Sequence, residues 1–232
     1  MPDDLKTRIL DAALDHVPFD GWSDETLQAA AADAGVDVAD VKQLYPRGAV
    51  DLAVAFHKRG DDQMLAAMDA VDLSDLRYSA RVAAGVRFRL EAITDKEIVR
   101  RGLTLFAQPN HAGDGAQLVW GTADAIWTRL GDTSDDVNWY SKRAILSAVY
   151  GSTLLFWLGD VSDDHAATWQ FLDRRIEDVM RFEKLKSKAK ESAALRPLLA
   201  IPNALFAGIK APTANRRSDL PGHWSGPVKG RL

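Results

Sequence analysis

The 232-residue chain has the composition of an ordinary soluble globular protein, with 47% hydrophobic and 27% charged residues. It contains no cysteine, which excludes disulfide scaffolds, thiolate metal sites and cysteine nucleophiles. The net charge of −4 hides an asymmetry: residues 1–50 carry ten acidic and four basic side chains, whereas residues 181–232 carry three acidic and eleven basic ones. We therefore expect the two ends of the chain to meet different partners.

Apolar residues recur at helical spacing along the chain, and no stretch alternates as a strand would. The sequence therefore predicts an all-α protein of nine or ten helices. Ser74 is expected to cap the fifth helix, and Thr94–Glu97 has the form of a capping box that opens the sixth. The first nine predicted helices span residues 4–17, 24–34, 38–44, 48–70, 74–93, 94–108, 115–130, 137–158 and 162–190.

The first three helices predict a helix-turn-helix head. Gly35 stands in the turn, and Asp37 can cap the third helix. This arrangement resembles the N-terminal domain of TetR-type repressors, which implies a TetR-like fold. Residues 1–50 have a net charge of −6, however, and the third helix offers only Lys42 and Gln43 to read base edges. We therefore expect this degenerate head to bind no nucleic acid.

The chain shows no pattern of catalytic or metal-binding residues. Its five histidines are scattered, without the Glu-x-x-His pairs that a di-iron site in a helical bundle needs. The acidic pairs Asp135-Asp136 and Asp163-Asp164 precede predicted helices, where carboxylates stabilise the helix N-terminus. The sequence therefore predicts no catalytic residue, no metal ligand and no cofactor.

Residues 137–158 predict a central helix with apolar residues on every side. Such a helix can flank a lipid cavity or stand in a filled core, and the pattern fits both. Near its start, Tyr140 and Arg143 share one face with Asp136, and Trp139 flanks them. Tryptophan, tyrosine and arginine together favour a protein interface. A core position fits Trp139 equally well.

The same helix carries the motif of a known family. The run DVNWYSKRA at residues 136–144, followed by a tyrosine and by TWQFLDRR at residues 168–175, is similar to the ubiquinone (coenzyme Q) biosynthesis accessory family. The likeness covers roughly residues 5–210 and is strongest over residues 117–180. The matching residues are Asp136, Asn138, Trp139, Tyr140, Arg143, Ala144, Tyr150, Thr168, Trp169, Phe171, Leu172 and Arg175.

This resemblance implies a non-enzymatic homodimer whose internal cavity binds lipid, such as isoprenoid quinone intermediates or a phospholipid. Members of the family associate with the di-iron hydroxylase that modifies the demethoxyubiquinone ring, and are expected to present its substrate. The alternative from another functional class is a TetR-type transcriptional regulator that responds to a ligand. A helical hydroxylase is disfavoured by the missing Glu-x-x-His pairs. The partner-facing residues that the resemblance implies are Asp124, Ile126, Trp127, Asp136, Trp139, Tyr140 and Arg143.

Residues 192–210 correspond to the amphipathic helix with which this family engages membranes. Basic residues in and before this segment favour an anionic bilayer, and the alternative is a C-terminal helix packed on its own core. The acidic N-terminus has no transit peptide, so we expect a bacterial, cytoplasmic protein, peripheral on the inner face of the membrane. The apolar membrane-binding residues are Leu195, Leu198, Leu199, Leu205, Phe206 and Ile209.

The sequence therefore predicts four segments. A degenerate helix-turn-helix head covers residues 1–47, and a lipid-binding helical domain covers residues 48–190. A membrane-docking helix follows over residues 191–210. The Pro, Gly and Arg-rich remainder, residues 211–232, is predicted to be a disordered tail.

Overall fold

The computed structural model describes residues 2–191 and residue 211. Within that part of the chain there are nine α-helices, one short 3-10 helix and no strand, so the all-α prediction is confirmed. The helices are α1 Pro2–Asp20, α2 Asp24–Asp33, α3 Val38–Leu44, α4 Ala49–Ala70, α5 Tyr78–Glu91, α6 Lys96–Phe106, α7 Ala112–Arg129, α8 Val137–Gly159 and α9 Ala166–Glu191.

The helix-turn-helix head forms as its sequence predicts. The backbone after α2 turns at Gly35, whose φ of +64° suits a residue without a Cβ. The Val36 amide then donates to the Ala31 carbonyl (2.9 Å), which closes the C-terminus of α2. The Asp37 side chain accepts from the Ala39 amide (2.7 Å) and caps α3.

Three predicted helix starts are corrected by the structure. Ser74 caps no helix, because its amide donates to Asp72 Oδ1 (2.9 Å) in a turn, and α5 begins only at Tyr78. The cap of α6 is Asp95, which accepts from the Glu97 amide, rather than Thr94. The last long helix begins neither at Ser162 nor at Asp163, the two starts that the sequence allows, since a 3-10 turn over Asp163–His165 precedes it.

Helix α4 joins two hydrophobic cores. Its first half, including the fully buried Leu52, packs into the core of the head with α1, α2 and α3. Its second half, with Met64 and Met68, packs into a second core formed with α5, α7, α8 and α9. We call these the head core and the body core. The predicted boundary at residue 47 thus falls just before a helix that belongs to both.

Side chains also fasten the head to the body across this boundary. The Arg101 guanidinium on α6 donates to the Pro18 carbonyl (2.9 Å). Arg47 donates to Asp114 at the start of α7 (2.8 Å). The head is therefore held against the body at both α6 and α7.

The predicted membrane-docking helix and tail lie outside the described residues, apart from Ala211. The amide of Ala211 donates to the Asp135 carbonyl (2.8 Å), so this residue lies beside the loop between α7 and α8. Across residues 2–191, none of the helices combines the length and the apolar composition that a membrane crossing requires.

Candidate ligand cavity and the aromatic surface beside it

A cavity of about 600 Å³ lies between the head core and the body core. Helices α4, α5, α6, α7 and α8 contribute its walls, and most of the lining side chains are apolar. This volume lies within the range of small-molecule sites in proteins. The apolar lining comprises Trp22, Ala53, Phe56, Ile93, Ile98, Val99, Leu103, Phe106, Ala107, Ala112, Ala116, Leu118, Val119, Trp120 and Leu154.

The cavity reaches solvent at the connection between α6 and α7. Three alanines of the lining, Ala107, Ala112 and Ala116, are exposed there, whereas lining residues of α4 and α8 such as Ala53 and Leu154 are buried. Small side chains at this rim leave an opening that larger ones would narrow. The mouth of the cavity is thus framed by alanines.

Polar side chains line one part of the cavity, where α4 faces α5. The Arg89 side chain is only 3% exposed, and its Nε donates to Asp61 Oδ1 (2.7 Å). A second guanidinium nitrogen donates to the His57 carbonyl (3.1 Å). The approach depends on Gly60, since a Cβ there would lie 2.6 Å from Arg89 Nη1. Arg89 is therefore seated directly against the backbone of α4.

His57 extends this polar group toward α7. Its Nε2 lies 2.9 Å from the hydroxyl of the fully buried Thr122, which in turn donates to Asp61 (2.8 Å). Burial, reinforced by the positive charge of Arg89, lowers the pKa of His57 to about 3. His57 is therefore neutral at physiological pH, and we call His57, Asp61, Arg89 and Thr122 the polar cluster.

Two hydroxyl-bearing residues of α8 line the cavity as well. Tyr150 is almost fully buried, and the Arg89 guanidinium carbon lies 5.9 Å from the centre of its ring. Ser147 is one helical turn earlier, and its buried Oγ has no hydrogen-bond partner. Neighbouring residues of the same helix, Leu146 and Val149, pack into the body core. The sequence allowed either a pocket or a filled core beside α8, and the structure has both.

An aromatic surface adjoins the cavity where α7 faces the start of α8. We define it as Trp120, Trp139 and Tyr140. The Trp139 and Tyr140 rings meet edge to face with centroids 4.8 Å apart, and Trp120 lies 5.9 Å from Trp139. Trp120 also lines the cavity. One side chain is therefore shared between the cavity wall and the surface.

Arg143 supports this surface from inside. Its guanidinium carbon lies 3.9 Å from the centre of the Trp139 ring, although the side chain is only 2% exposed. It donates to Asp124 (2.6 Å) and to Asp132 (3.0 Å). These bonds fix the cation beneath the tryptophan, so Arg143 positions Trp139.

Asp132 completes the ion-pair network under the surface. Its side chain is 2% exposed and also accepts from Lys142 Nζ (2.7 Å). Burial would raise the pKa of Asp132, but hydrogen bonds from Lys142, Ser134 and Arg143 outweigh it and lower the pKa to about 2. The carboxylate is therefore ionised throughout the physiological range.

Two family models match this chain, one in the head and one in the body. Residues 2–32 match a family model described as "Ubiquinone biosynthesis protein COQ9, N-terminal domain", and residues 112–183 match the COQ9 model. The probable ubiquinone biosynthesis protein coq9 of Dictyostelium discoideum is 32% identical over 201 residues, which is 83% of this chain. The chain belongs to the COQ9 family.

Animal COQ9 proteins are similar at slightly lower identity. The Drosophila melanogaster protein is 30% identical and the Homo sapiens protein 28% identical, each over 81% of this chain. The chain spans 65% of the length of the Dictyostelium protein, 59% of the Drosophila protein and 61% of the human one. All three relatives carry names that refer to ubiquinone biosynthesis and to mitochondria, and none of the names is that of an enzyme.

A solved structure gives the fold of this COQ9-family chain. The TetR transcriptional regulator from Nitrosomonas europaea superimposes with a TM-score of 0.62, covering 75% of this chain and 97% of the regulator. The sequences are 22% identical. The TetR-like fold predicted from the helix-turn-helix head is therefore confirmed.

Six of the seven predicted partner-facing residues of the COQ9-family chain lie around the start of α8, and the seventh, Ile126, lies in the body core. Trp139 and Tyr140 are half-buried, and Asp136 is exposed and caps α8 through the Asn138 amide (2.8 Å). Trp127 is half-buried and donates to the Lys142 carbonyl (3.0 Å), and Asp124 binds Arg143. These residues lie close together around the start of α8. Their role in partner binding stays a prediction.

Ile126 requires a correction. It is fully buried in the body core, where its side chain would lie 3.0 Å from a Cβ at Gly85. Helical spacing explains the difference, because Ile126 points away from the face of α7 that carries Asp124 and Trp127. Ile126 is a core residue, and the buried Arg143 supports the surface from below. The predicted membrane-binding residues, from Leu195 to Ile209, lie outside the described part of the chain.

Sequence reasoning missed the polar cluster and the role of Trp120. A signal for the cluster was present, since His57 and Asp61 stand four residues apart on one face of α4. Trp120 lies four residues before Asp124 on α7, and its sequence position alone does not distinguish a cavity wall from a filled core. Arg89 and Thr122 carried no such signal, because only the packing of α5 and α7 against α4 brings them together.

Proposed function

We propose that this chain is a non-enzymatic lipid-binding accessory protein of ubiquinone biosynthesis. It binds isoprenoid quinone intermediates in the cavity and presents them to the di-iron hydroxylase of the demethoxyubiquinone ring. The names of the COQ9 relatives support the pathway. The observation that carries the proposal is Trp120, which lines the cavity and packs against Trp139 and Tyr140 on the aromatic surface.

The chemistry of the cavity suits an isoprenoid chain. Its walls are aliphatic and aromatic, and each Å² of apolar ligand surface removed from water contributes about 25 cal/mol. The mouth is framed by Ala107, Ala112 and Ala116, so a flexible chain can enter without moving a bulky side chain. Burial of a prenyl tail along the whole length of such a cavity therefore favours binding.

The aromatic surface suits a protein partner. Half-buried aromatic side chains over a fixed cation have the composition of binding hot spots. Arg143 holds Trp139 in place through its bonds to Asp124 and Asp132. A hydroxylase that docks here would sit beside the cavity wall formed by Trp120.

The described polar groups support an accessory role rather than catalysis. His57 is neutral and committed to Thr122, and Asp61 is paired with Arg89. A general base needs a free site and a pKa near the operating pH. Neither His57 nor Asp61 combines the two.

Two further parts of the proposal concern the membrane and a second copy of the chain. Residues 192–210 dock the protein onto an anionic bilayer from the cytoplasmic side.

Two copies of the chain pair through the exposed Leu155 and Phe156 of α8. The ring of Phe156 is stacked on that of Phe171, with centroids 4.6 Å apart. Light scattering that gives the 25.5 kDa mass of one chain rather than twice that mass would contradict the dimer.

A DNA-binding regulator is the second candidate, because the fold is that of a TetR protein. The head argues against it. The exposed side chains of α3 include Asp40 beside Lys42 and Gln43, and Arg47 is already bound to Asp51 and Asp114 at 2.8 Å each. With Arg47 paired and Asp40 beside Lys42, the head presents little net positive charge to neutralise phosphates. A gel shift at moderate salt that shows tight, competitor-resistant promoter binding would reverse this preference.

The experiment that tests the proposal reconstitutes the hydroxylase with vesicles that contain its quinone substrate. Adding the chain is expected to raise turnover, because the substrate leaves the bilayer in the cavity. A hydroxylase that neither associates with the chain nor responds to it would contradict presentation. Binding of prenyl lipids to the purified chain is measured separately. It shows whether lipid binding is also absent when presentation to the hydroxylase is.

A further inference from the structure

The charges of the polar cluster disfavour a charged ligand beside it. Arg89 is compensated by Asp61 at 2.7 Å, and His57 is held neutral by burial, so the cluster carries no net charge. An anionic head group placed beside it would introduce an uncompensated charge into an apolar cavity, which is strongly unfavourable. The cavity therefore selects against phosphate-bearing lipids at this position.

Donors for an uncharged ligand are nevertheless present. Ser147 Oγ is buried and has no hydrogen-bond partner, although burying an unsatisfied hydroxyl costs stability. Tyr150, one turn later on α8, lines the same cavity. Arg89 uses two N–H groups for Asp61 and the His57 carbonyl, and its guanidinium has five. The lining thus offers hydrogen bonds that the protein itself does not use.

We propose that Ser147, Tyr150 and Arg89 bind the oxygen atoms of an uncharged, ring-like head group. The inference rests on the proposed function and assigns the two ends of its ligand. The oxygen-bearing ring lies against α5 and α8 beside the polar cluster. The apolar tail runs along Ile98 and Phe106 toward the mouth. Carbonyl and methoxy oxygens accept hydrogen bonds without bringing a charge, which suits the neutral cluster.

The test compares three probes with tails of equal length: a prenylated benzoquinone, the prenyl hydrocarbon and the prenyl diphosphate. Their affinities for the full chain are measured by native mass spectrometry. We expect the quinone to bind most tightly and the diphosphate most weakly. Ser147→Ala should weaken quinone binding about fivefold, the loss typical of one hydrogen bond, and leave hydrocarbon binding unchanged.

Ser152→Ala is the matched control. Ser152 lies on the same helix outside the cavity lining, and its hydroxyl already donates to the Val149 carbonyl (3.0 Å). Tyr150→Phe provides a second variant that removes one hydroxyl, and circular dichroism checks that it folds. If Ser147→Ala and Tyr150→Phe both retain wild-type quinone affinity, the assignment is wrong.

The probes also separate this inference from the proposed function. Equal affinity for quinone and hydrocarbon would mean that the tail alone is recognised, and tightest binding of the diphosphate would mean an anionic head group. Either result overturns the polar anchor and leaves lipid binding intact. If the folded chain binds none of the three, the proposed function fails and the anchor fails with it.

Discussion

Trp120 and Trp139 lie with their ring centroids 5.9 Å apart, and only Trp120 of the two lines the cavity. A partner that contacts Trp139 is therefore one side chain away from a ligand in the cavity. This geometry links lipid binding and partner docking without a long path through the protein.

Replacing Trp139 by alanine is expected to weaken association with the hydroxylase by about 2 kcal/mol, roughly 30-fold, the cost of an aromatic hot spot. Alanine is preferable to lysine here, because a lysine would bring a second cation beside the buried guanidinium of Arg143. Affinity is measured by surface plasmon resonance, and helicity by circular dichroism. The control is Phe19→Ala, which removes an aromatic ring that is 80% exposed on α1. Equal affinity of both variants would remove Trp139 from the interface.

Asp132→Asn is expected to lower the free energy of unfolding at pH 7 by about 3 kcal/mol, because Arg143 and Lys142 lose a buried partner. The folded-state pKa of Asp132 is depressed to about 2, so its stabilisation is complete above about pH 4 and disappears as the pH falls toward 2. Urea unfolding at several pH values should therefore show the difference between wild type and variant shrinking across this window. A constant difference would show that the carboxylate charge is not what stabilises the network.

Alanine substitutions at two helical glycines are expected to change stability in opposite directions. Gly60→Ala should destabilise the fold by about 1–3 kcal/mol, because its Cβ would displace the guanidinium of Arg89 from Asp61. Gly121→Ala should add up to about 1 kcal/mol, since no atom lies within 4 Å of its Cβ and alanine favours a helix. Thermal unfolding of both variants gives the comparison. A neutral Gly60→Ala would mean that Arg89 can move freely, contrary to a fixed polar cluster.

Removing the residues after Glu191 is expected to abolish flotation with anionic vesicles, because the six apolar membrane-binding side chains and all six basic residues of positions 192–232 leave with them. Each cation near an anionic surface contributes about 1 kcal/mol, so binding of the full chain should weaken in high salt and on neutral vesicles. If the truncated and full chains float equally well, this segment is not the membrane anchor.

The sequence predicts the positions of the helices better than it predicts how the helices pack against one another. Gly35 and Asp37 specify a turn and a cap by local chemistry, and both behave as predicted. The burial of Ile126 depends on how α7 packs against α5, and that of Arg143 on how α8 packs against α7, which no local pattern encodes. The cavity depends on long-range packing too, since an apolar α8 fits a filled core equally well.

Native mass spectrometry of the chain and of two matched tryptophan variants at the mouth of the cavity tests most directly whether the cavity holds an isoprenoid. Ala116 lines the cavity, whereas its exposed neighbour Gln117 does not. We expect a prenyl lipid to co-purify with wild type and with Gln117→Trp, and folded Ala116→Trp to lose it. Wild-type protein that binds no prenyl lipid, or an Ala116→Trp variant that retains it fully, would contradict an isoprenoid in this cavity.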